Sequence, residues 1–179
     1  MNYGLHGFPK GRRITGVPWR LQFPPIPLYL LNFVDIPAPR GTHDILLSSG
    51  DVSVVTAANF AYIRLGSNRL ISASGYLGSS TLLTNTPTIT TTTTATEMPI
   101  GYVALGANQT QFVARVSRIN PDGNLWACNG SSNTNSTGSD SALFTSYKDM
   151  PGPVDVLRFG TAASYFDAGY LHVTMEGVK

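Results

Sequence analysis

Apolar and polar residues alternate along several short segments of this chain, as they do in strands that bury one face. The clearest case is the segment from Gln111 to Ile119, in which Phe112, Ala114 and Val116 occupy every second position. Further candidate strands cover residues 52–56, 60–65, 70–76, 100–105, 125–128, 154–159 and 165–175. No window of ten or more residues carries the stripe of an amphipathic helix, so the pattern predicts an all-β protein.

Turn signals separate these candidate strands at short intervals. The clearest is the segment from Asn120 to Asn124, with the sequence NPDGN, which predicts a hairpin before the strand at residue 125. Such spacing predicts a single jelly-roll-like β-sandwich of about eight strands over residues 41–179. Two polar segments are predicted as loops of this body: a Thr-rich loop at 84–96 and a Ser/Asn-rich loop at 129–141.

Residues 1–40 have a different composition and are predicted to form an extended arm. Seven of the twelve prolines lie there, together with five basic residues and one acid, Asp35. Proline fixes φ and lacks a donor, which disfavours a helix or a central strand. The arm is also rich in large apolar side chains, which must lie either on the body or on another chain.

The arm therefore predicts a docking element. Its apolar residues would supply most of the affinity, and its basic residues favour an acidic protein surface over nucleic acid, because the basic cluster is small. The residues assigned to docking are Phe8, Lys10, Arg12, Arg13, Trp19, Arg20, Phe23, Leu28, Tyr29 and Phe33.

Composition excludes several classes of protein. A hydrophobic content of 42% argues against wholesale disorder, and a net charge of +2 is too small to indicate a nucleic-acid-binding protein. One cysteine, Cys128, permits neither an internal disulfide nor a cysteine-based zinc site. The apolar stretch from Leu28 to Ile36 is too short to span a bilayer, which takes about 20 residues, so membrane insertion is not expected.

The sequence singles out no catalytic, cofactor-binding or metal-binding group. The three histidines, His6, His43 and His172, have no metal-ligand spacing, and the ten carboxylates are scattered singly. Phosphate-loop, dinucleotide and nucleophile-elbow motifs are all lacking from the sequence. We therefore expect a protein that is not an enzyme and carries no cofactor.

Polar loops beside aromatic residues leave a second possibility open, which is carbohydrate binding. Tyrosines near the loops, such as Tyr147, Tyr165 and Tyr170, could stack on sugar rings, whereas Trp126 follows a hairpin and is expected in the core. The residues assigned to possible glycan contact are Asn129, Asn133, Asn135 and Tyr147.

The C-terminal segments 157–160 (LRFG) and 165–177 (YFDAGYLHVTMEG) resemble the closing strands of bacteriophage virion proteins. In those proteins a Phe-Asp-x-Gly turn leads into a final alternating strand that completes a β-sandwich. The resemblance covers roughly the last quarter of the chain. It implies a virion location and a homotrimeric tail-fibre, spike, head-fibre or decoration protein without enzymatic activity.

Two functions follow as expectations. The first is a structural virion protein that self-assembles through its sandwich and docks to other virion proteins through residues 1–40. The alternative is an adhesin that recognises a host surface glycan through the 129–141 loop.

Overall fold

We describe a computed structural model of the chain over residues 16–55, 59–83, 89–103, 109–120, 122–135, 140–162 and 164–179. These residues form two antiparallel sheets and contain no helix. The strands of the large sheet are β1 (Pro18–Gln22), β2 (Ile26–Pro27), β4 (Thr42–Val54), β7 (Tyr76–Leu83), β8 (Ile89–Thr94), β10 (Gln109–Arg118), β11 (Leu125–Asn135), β12 (Ser141–Asp149) and β14 (Phe166–Val178). The strands of the small sheet are β3 (Phe33–Pro37), β5 (Asn59–Ser67), β6 (Leu70–Ile71), β9 (Met98–Val103) and β13 (Val156–Thr161).

The prediction of an all-β protein is confirmed, but the expected number of about eight strands is wrong. The large sheet has the order β1-β14-β4-β10-β11-β12-β7-β8, with β2 also paired to β14. The small sheet has the order β3-β13-β5-β6, with β9 also paired to β5. The described residues contain more strands than expected, because the predicted arm contributes β1, β2 and β3, the predicted Thr-rich loop contributes β8, and β12 lies where no strand was predicted.

One hydrophobic core is shared by the two sheets. Phe159 of β13 stacks between Phe112 of β10 and Phe166 of β14, with ring centroids 5.3 Å apart in both pairs. The hydroxyl of Tyr76 on β7 accepts a hydrogen bond from the Leu65 amide of β5 at 2.8 Å. Aromatic stacking and a buried polar link therefore connect the layers.

The predicted Thr-rich loop at 84–96 is wrong for its central part. Residues 89–94 form β8, which pairs along its length with β7 in a register from Leu83↔Ile89 to Gly78↔Thr94. Threonine is β-branched and suits a pleated surface, so low complexity does not prevent a strand where a partner edge is present. Residues 84–88 lie outside the described part of the chain.

The predicted Ser/Asn-rich loop at 129–141 is also wrong over residues 129–135, which belong to β11. Here hydroxyl side chains take the core-facing positions: Ser132 and Thr134 are buried, and Thr134 Oγ1 lies 3.1 Å from Thr110 Oγ1 of β10. A hydrogen-bonded hydroxyl pair satisfies the buried polar groups, so the strand continues without apolar residues. Residues 136–139 are not among those described.

Residues 18–37, predicted as part of a separate arm, contribute three strands to the two sheets. β1 pairs with β14, and β3 pairs with β13. Trp19 lies opposite Gly177, and a Cβ on that glycine would approach the indole to 2.2 Å, so the ring covers the glycine. The arm was expected to pack either on the body or on another chain, and residues 16–40 pack on the body. Residues 1–15 lie outside the described part of the chain.

Two predicted turns differ in outcome. The hairpin at 120–124 is confirmed, since the Gly123 amide donates to the Asn120 carbonyl at 3.2 Å and the Ile119 amide donates to the Leu125 carbonyl at 2.9 Å. The Phe-Asp-x-Gly segment is not a turn before the last strand. It is the irregular start of β14, where the pairing with β4 shifts register on either side of Ala168.

Candidate functional site

The outer face of the large sheet divides into a charged half and an uncharged half. The charged half lies on β1, β14, β4 and β10. There Arg20 lies 3.6 Å from Glu176, and the guanidinium Nε of Arg115 lies 3.0 Å from both carboxylate oxygens of Asp44. Each exposed charge of these pairs is matched by an opposite charge on the neighbouring strand.

Asp44 is the most strongly held group of this half. Ser117 Oγ donates to its Oδ1 at 2.8 Å, in addition to the Arg115 contacts. Desolvation opposes ionisation, but the hydrogen bonds from Arg115 and Ser117 outweigh it and hold the pKa of the Asp44 carboxyl below its ordinary value. The group is therefore an ionised structural partner at neutral pH.

The second half is the uncharged face, which we define as the outward-facing positions of β11, β12 and β7. Within these described strands its only charge is Asp149, at the end of β12. Pairing places its members in rows that cross the strands, Ala127↔Tyr147↔Leu77 and Ser131↔Leu143↔Thr81. Leu77 and Leu143 are 74% and 60% exposed, unusually high for leucines in the middle of a large sheet.

A polar cleft of about 340 Å³ lies at one end of this sheet, where β4, β10, β11 and β12 meet. The described residues of its lining are all of polar type and none is basic; they supply two carboxylates, four amides and the Ser141 hydroxyl. The lining residues are Asp51, Gln109, Gln111, Asn133, Thr134, Asn135, Asp140 and Ser141. The volume falls within the range of small-molecule sites.

Hydrogen bonds hold the cleft in shape. Ser141 Oγ donates to Asn133 Oδ1 at 2.7 Å, and the Thr134 amide donates to the Asp140 carbonyl at 2.8 Å. The Gln111 amide nitrogen lies 3.4 Å from Asp51 Oδ1. Asp51 has a φ of +58°, in the left-handed region that non-glycine residues seldom adopt, at a point where the β4–β10 register shifts.

A second depression of about 180 Å³ continues from the cleft along the outer face. It is lined by Ser48, Ser49, Gln111, Phe112, Val113, Ser131 and Asn133. Gln111 and Asn133 line both depressions, so the two adjoin and form one surface, which is polar except at Phe112 and Val113. This surface ends near β14, where Tyr170 lies opposite Gly50 in the register.

The residues predicted for docking have varied positions. Leu28 is fully buried, and Trp19 and Phe23 pack partly buried against the core. Tyr29 and Phe33 are exposed, although the guanidinium of Arg158 lies 3.8 Å from the Phe33 ring centroid. Phe8, Lys10, Arg12 and Arg13 lie outside the described residues, and the docking role of the whole set stays a prediction.

The four residues predicted for glycan contact are only partly brought together. Asn133 and Asn135 line the cleft, whereas Asn129 is exposed farther along β11. Tyr147 lies six residues from Ser141 along β12, about 20 Å away at the rise of a strand. Trp126 is buried, as expected. The other cleft residues were not predicted from the sequence, because no local motif links Asp51, Gln109, Gln111 and Asp140.

Other candidate chemistry is sparse in the described ranges. Cys128 is a buried free thiol, and burial raises its pKa to about 12. No group of three His, Cys, Asp or Glu residues there could hold a metal ion. Nor do those ranges contain a helix with the length and apolarity needed to cross a membrane.

Comparisons of this chain with protein-family models, with curated proteins and with solved structures found no match.

Proposed function

We propose that this chain is a non-enzymatic structural protein of a bacteriophage virion, a β-sandwich that self-assembles through the uncharged face. The observation that carries the proposal is the uncharged face itself, with exposed leucines on adjacent strands and one charge at its end. Sheets of nine and five strands exceed the eight of a jelly roll, so we propose the more general sandwich.

The energetics of this face favour association. Burying a leucine side chain contributes roughly 1.5–3 kcal/mol, and Leu77 and Leu143 are both more than half exposed. The cores of protein interfaces are depleted of charged residues, because an unpaired charge would be costly to desolvate. The serine and threonine side chains that lie beside these leucines on β7 and β12 are uncharged, so an interface here would not bury a charge at these positions.

We propose a second copy of the chain as the occupant. An uncharged surface offers nothing to a charged partner, whereas it is complementary to itself in charge and in polarity. The adjacent edge strand β8 has no charged residue and no proline in its sequence, unlike the opposite edge β1, which carries Pro18 and Arg20. Charges and prolines protect sheet edges from pairing, so the β8 side is the one left open to another copy.

The virion location is supported by the C-terminal resemblance and is independent of the interface argument. Its segments form β13 and β14, and β14 pairs with β4, β1 and β2. A homotrimer is the assembly that this resemblance implies. Lys10, Arg12 and Arg13, which precede β1, are proposed to steer the chain to an acidic surface of another virion protein.

The test of self-assembly is the solution mass of the full chain, measured by light scattering after size exclusion. We expect the mass of three chains for the wild type and the mass of one chain for Leu143→Lys. Leu70→Lys is the matched control, because Leu70 is 75% exposed on β6 of the small sheet. A monomeric wild type, or equal effects of the two lysines, would contradict the proposal.

A further inference from the structure

We propose that the polar cleft and its adjoining depression bind an uncharged oligosaccharide. The proposal is tested separately from self-assembly. Because Ser131 and Asn133 also lie on the uncharged face, it requires the interface between copies to leave this end of β11 open. It rests on the lining chemistry, on the fixed geometry of the amides and on the continuity of the two depressions.

The lining matches a ligand that both donates and accepts hydrogen bonds. Four amide side chains offer donors and acceptors together, and Asp51 and Asp140 offer acceptors only. Sugar hydroxyl groups satisfy both kinds of partner at once. Since the described lining has two carboxylates and no lysine or arginine, it disfavours a phosphate, a sulfated sugar or a sialic acid.

The amide of Asn133 is oriented before any ligand arrives. Because Ser141 donates to its Oδ1, the Nδ2 protons are left to point at a ligand. The backbone bond between Thr134 and Asp140 closes the β11–β12 stem beside it. Preorganised polar groups lose less entropy on binding, which favours recognition by this amide.

Asp51 adds a second sign of a built site. Asp51 has a left-handed backbone and lies where the β4–β10 register shifts. In this position its carboxylate lies beside the Gln111 amide. Left-handed non-glycine residues persist where the surrounding structure demands them, and they concentrate at ligand sites.

The length of the surface indicates more than one sugar ring. The cleft of about 340 Å³ and the depression of about 180 Å³ share Gln111 and Asn133, which therefore lie at the junction of two subsites. At the far end the exposed ring of Tyr170 lies in register with Gly50, where a Cβ would meet no atom within 4 Å. An exposed aromatic ring beside open backbone offers a flat apolar surface on which a sugar can stack.

The test is an oligosaccharide array probed with the full chain, followed by calorimetric titration of the neutral oligosaccharide that gives the strongest signal. We expect selective binding of neutral oligosaccharides over sialylated and sulfated ones, unchanged by EDTA. Gln111→Ala and Asn133→Ala should each weaken binding at least ten-fold. Asn129→Ala, an exposed asparagine on the same strand outside the cleft, should leave the Kd within two-fold.

Several outcomes would overturn the inference. They are an array without binding, a preference for acidic oligosaccharides, loss of binding in EDTA, and cleft variants that bind as tightly as the wild type. Thermal unfolding of each variant shows that the fold is intact, and the two independent cleft variants keep the test decisive if one of them is unstable.

Discussion

Cys128 shows how burial alone determines the chemistry of a side chain. It faces the core from β11 and is fully buried, which raises its pKa to about 12. Since the thiolate is the reactive form, we predict that a thiol reagent at pH 8 leaves the native chain unmodified. The same reagent should modify one thiol per chain in denaturant, measured by absorbance. Rapid labelling of the native protein would show that β11 opens or that Cys128 is exposed.

Asp44 gives the chain a predictable response to acid. Its pKa is lowered in the folded state, so its stabilising contribution is present above the unfolded value of about 3.9 and is lost as pH falls through the folded value. Asp44→Asn should lower the free energy of unfolding by about 1 kcal/mol at neutral pH, a modest effect because Arg115 is exposed.

Urea unfolding of the two proteins from pH 7 to pH 2 measures this contribution. The wild type and Asp44→Asn should converge at the acid end. Asp149→Asn, at the exposed end of β12, is the matched control and should be as stable as the wild type at pH 7. A constant difference between Asp44→Asn and the wild type over the whole range would show that the carboxylate is not the stabilising form.

At the scale of single strands, two glycines make a matched pair. A Cβ on Gly130 of β11 would lie 2.0 Å from the Val113 carbonyl oxygen, whereas one on Gly50 of β4 would meet nothing within 4 Å. We predict that Gly130→Ala lowers the free energy of unfolding by roughly 1–3 kcal/mol. Gly50→Ala should change it by no more than about 1 kcal/mol, measured by urea denaturation. Equal stabilities would mean that β10 and β11 are packed less closely than described.

The N-terminal strands belong to the core of the molecule, and a deletion pair tests this. Removing residues 1–40 takes away β1, β2 and β3 together with the buried side chains of Leu28 and Ile36, and it leaves one side of β13 unpaired. We predict that this truncated chain fails to fold, whereas a chain lacking residues 1–15 keeps its β-sheet circular dichroism and a cooperative thermal transition. A folded, cooperative 41–179 chain would restore the separate-arm interpretation.

Period-two hydrophobicity predicts strands only where one face is apolar. It identified the strand that contains Phe112, Ala114 and Val116, but it missed the polar end of β11, where Ser132 and Thr134 face the core through hydroxyl contacts. The prediction of a loop at 84–96 was wrong for a related reason. The pairing of β8 with β7 joins separate segments of the chain, and local composition does not encode it. Strands that depend on cross-strand partners require the sheet order to be known.

At the scale of the whole molecule, both candidate surfaces arise from register. Residues as far apart in sequence as Leu77 and Tyr147 lie together on the uncharged face, because β11, β12 and β7 are neighbours in the sheet. The cleft likewise brings together Asp51, Gln111 and Asp140 from three distant segments. Local composition alone indicated Asn133 and Asn135. It had no signal for their partners, since these residues become neighbours only once β10 is paired with both β4 and β11.

The most direct test of the proposed function is peptide mass spectrometry of phage particles purified on a density gradient. An antibody against the full chain locates it on the same particles by electron microscopy. We predict that the chain copurifies with the particles in a fixed copy number divisible by three and that antibody labels one defined structure. Its absence from particles, with the chain recovered only as free protein, would contradict a structural role in the virion.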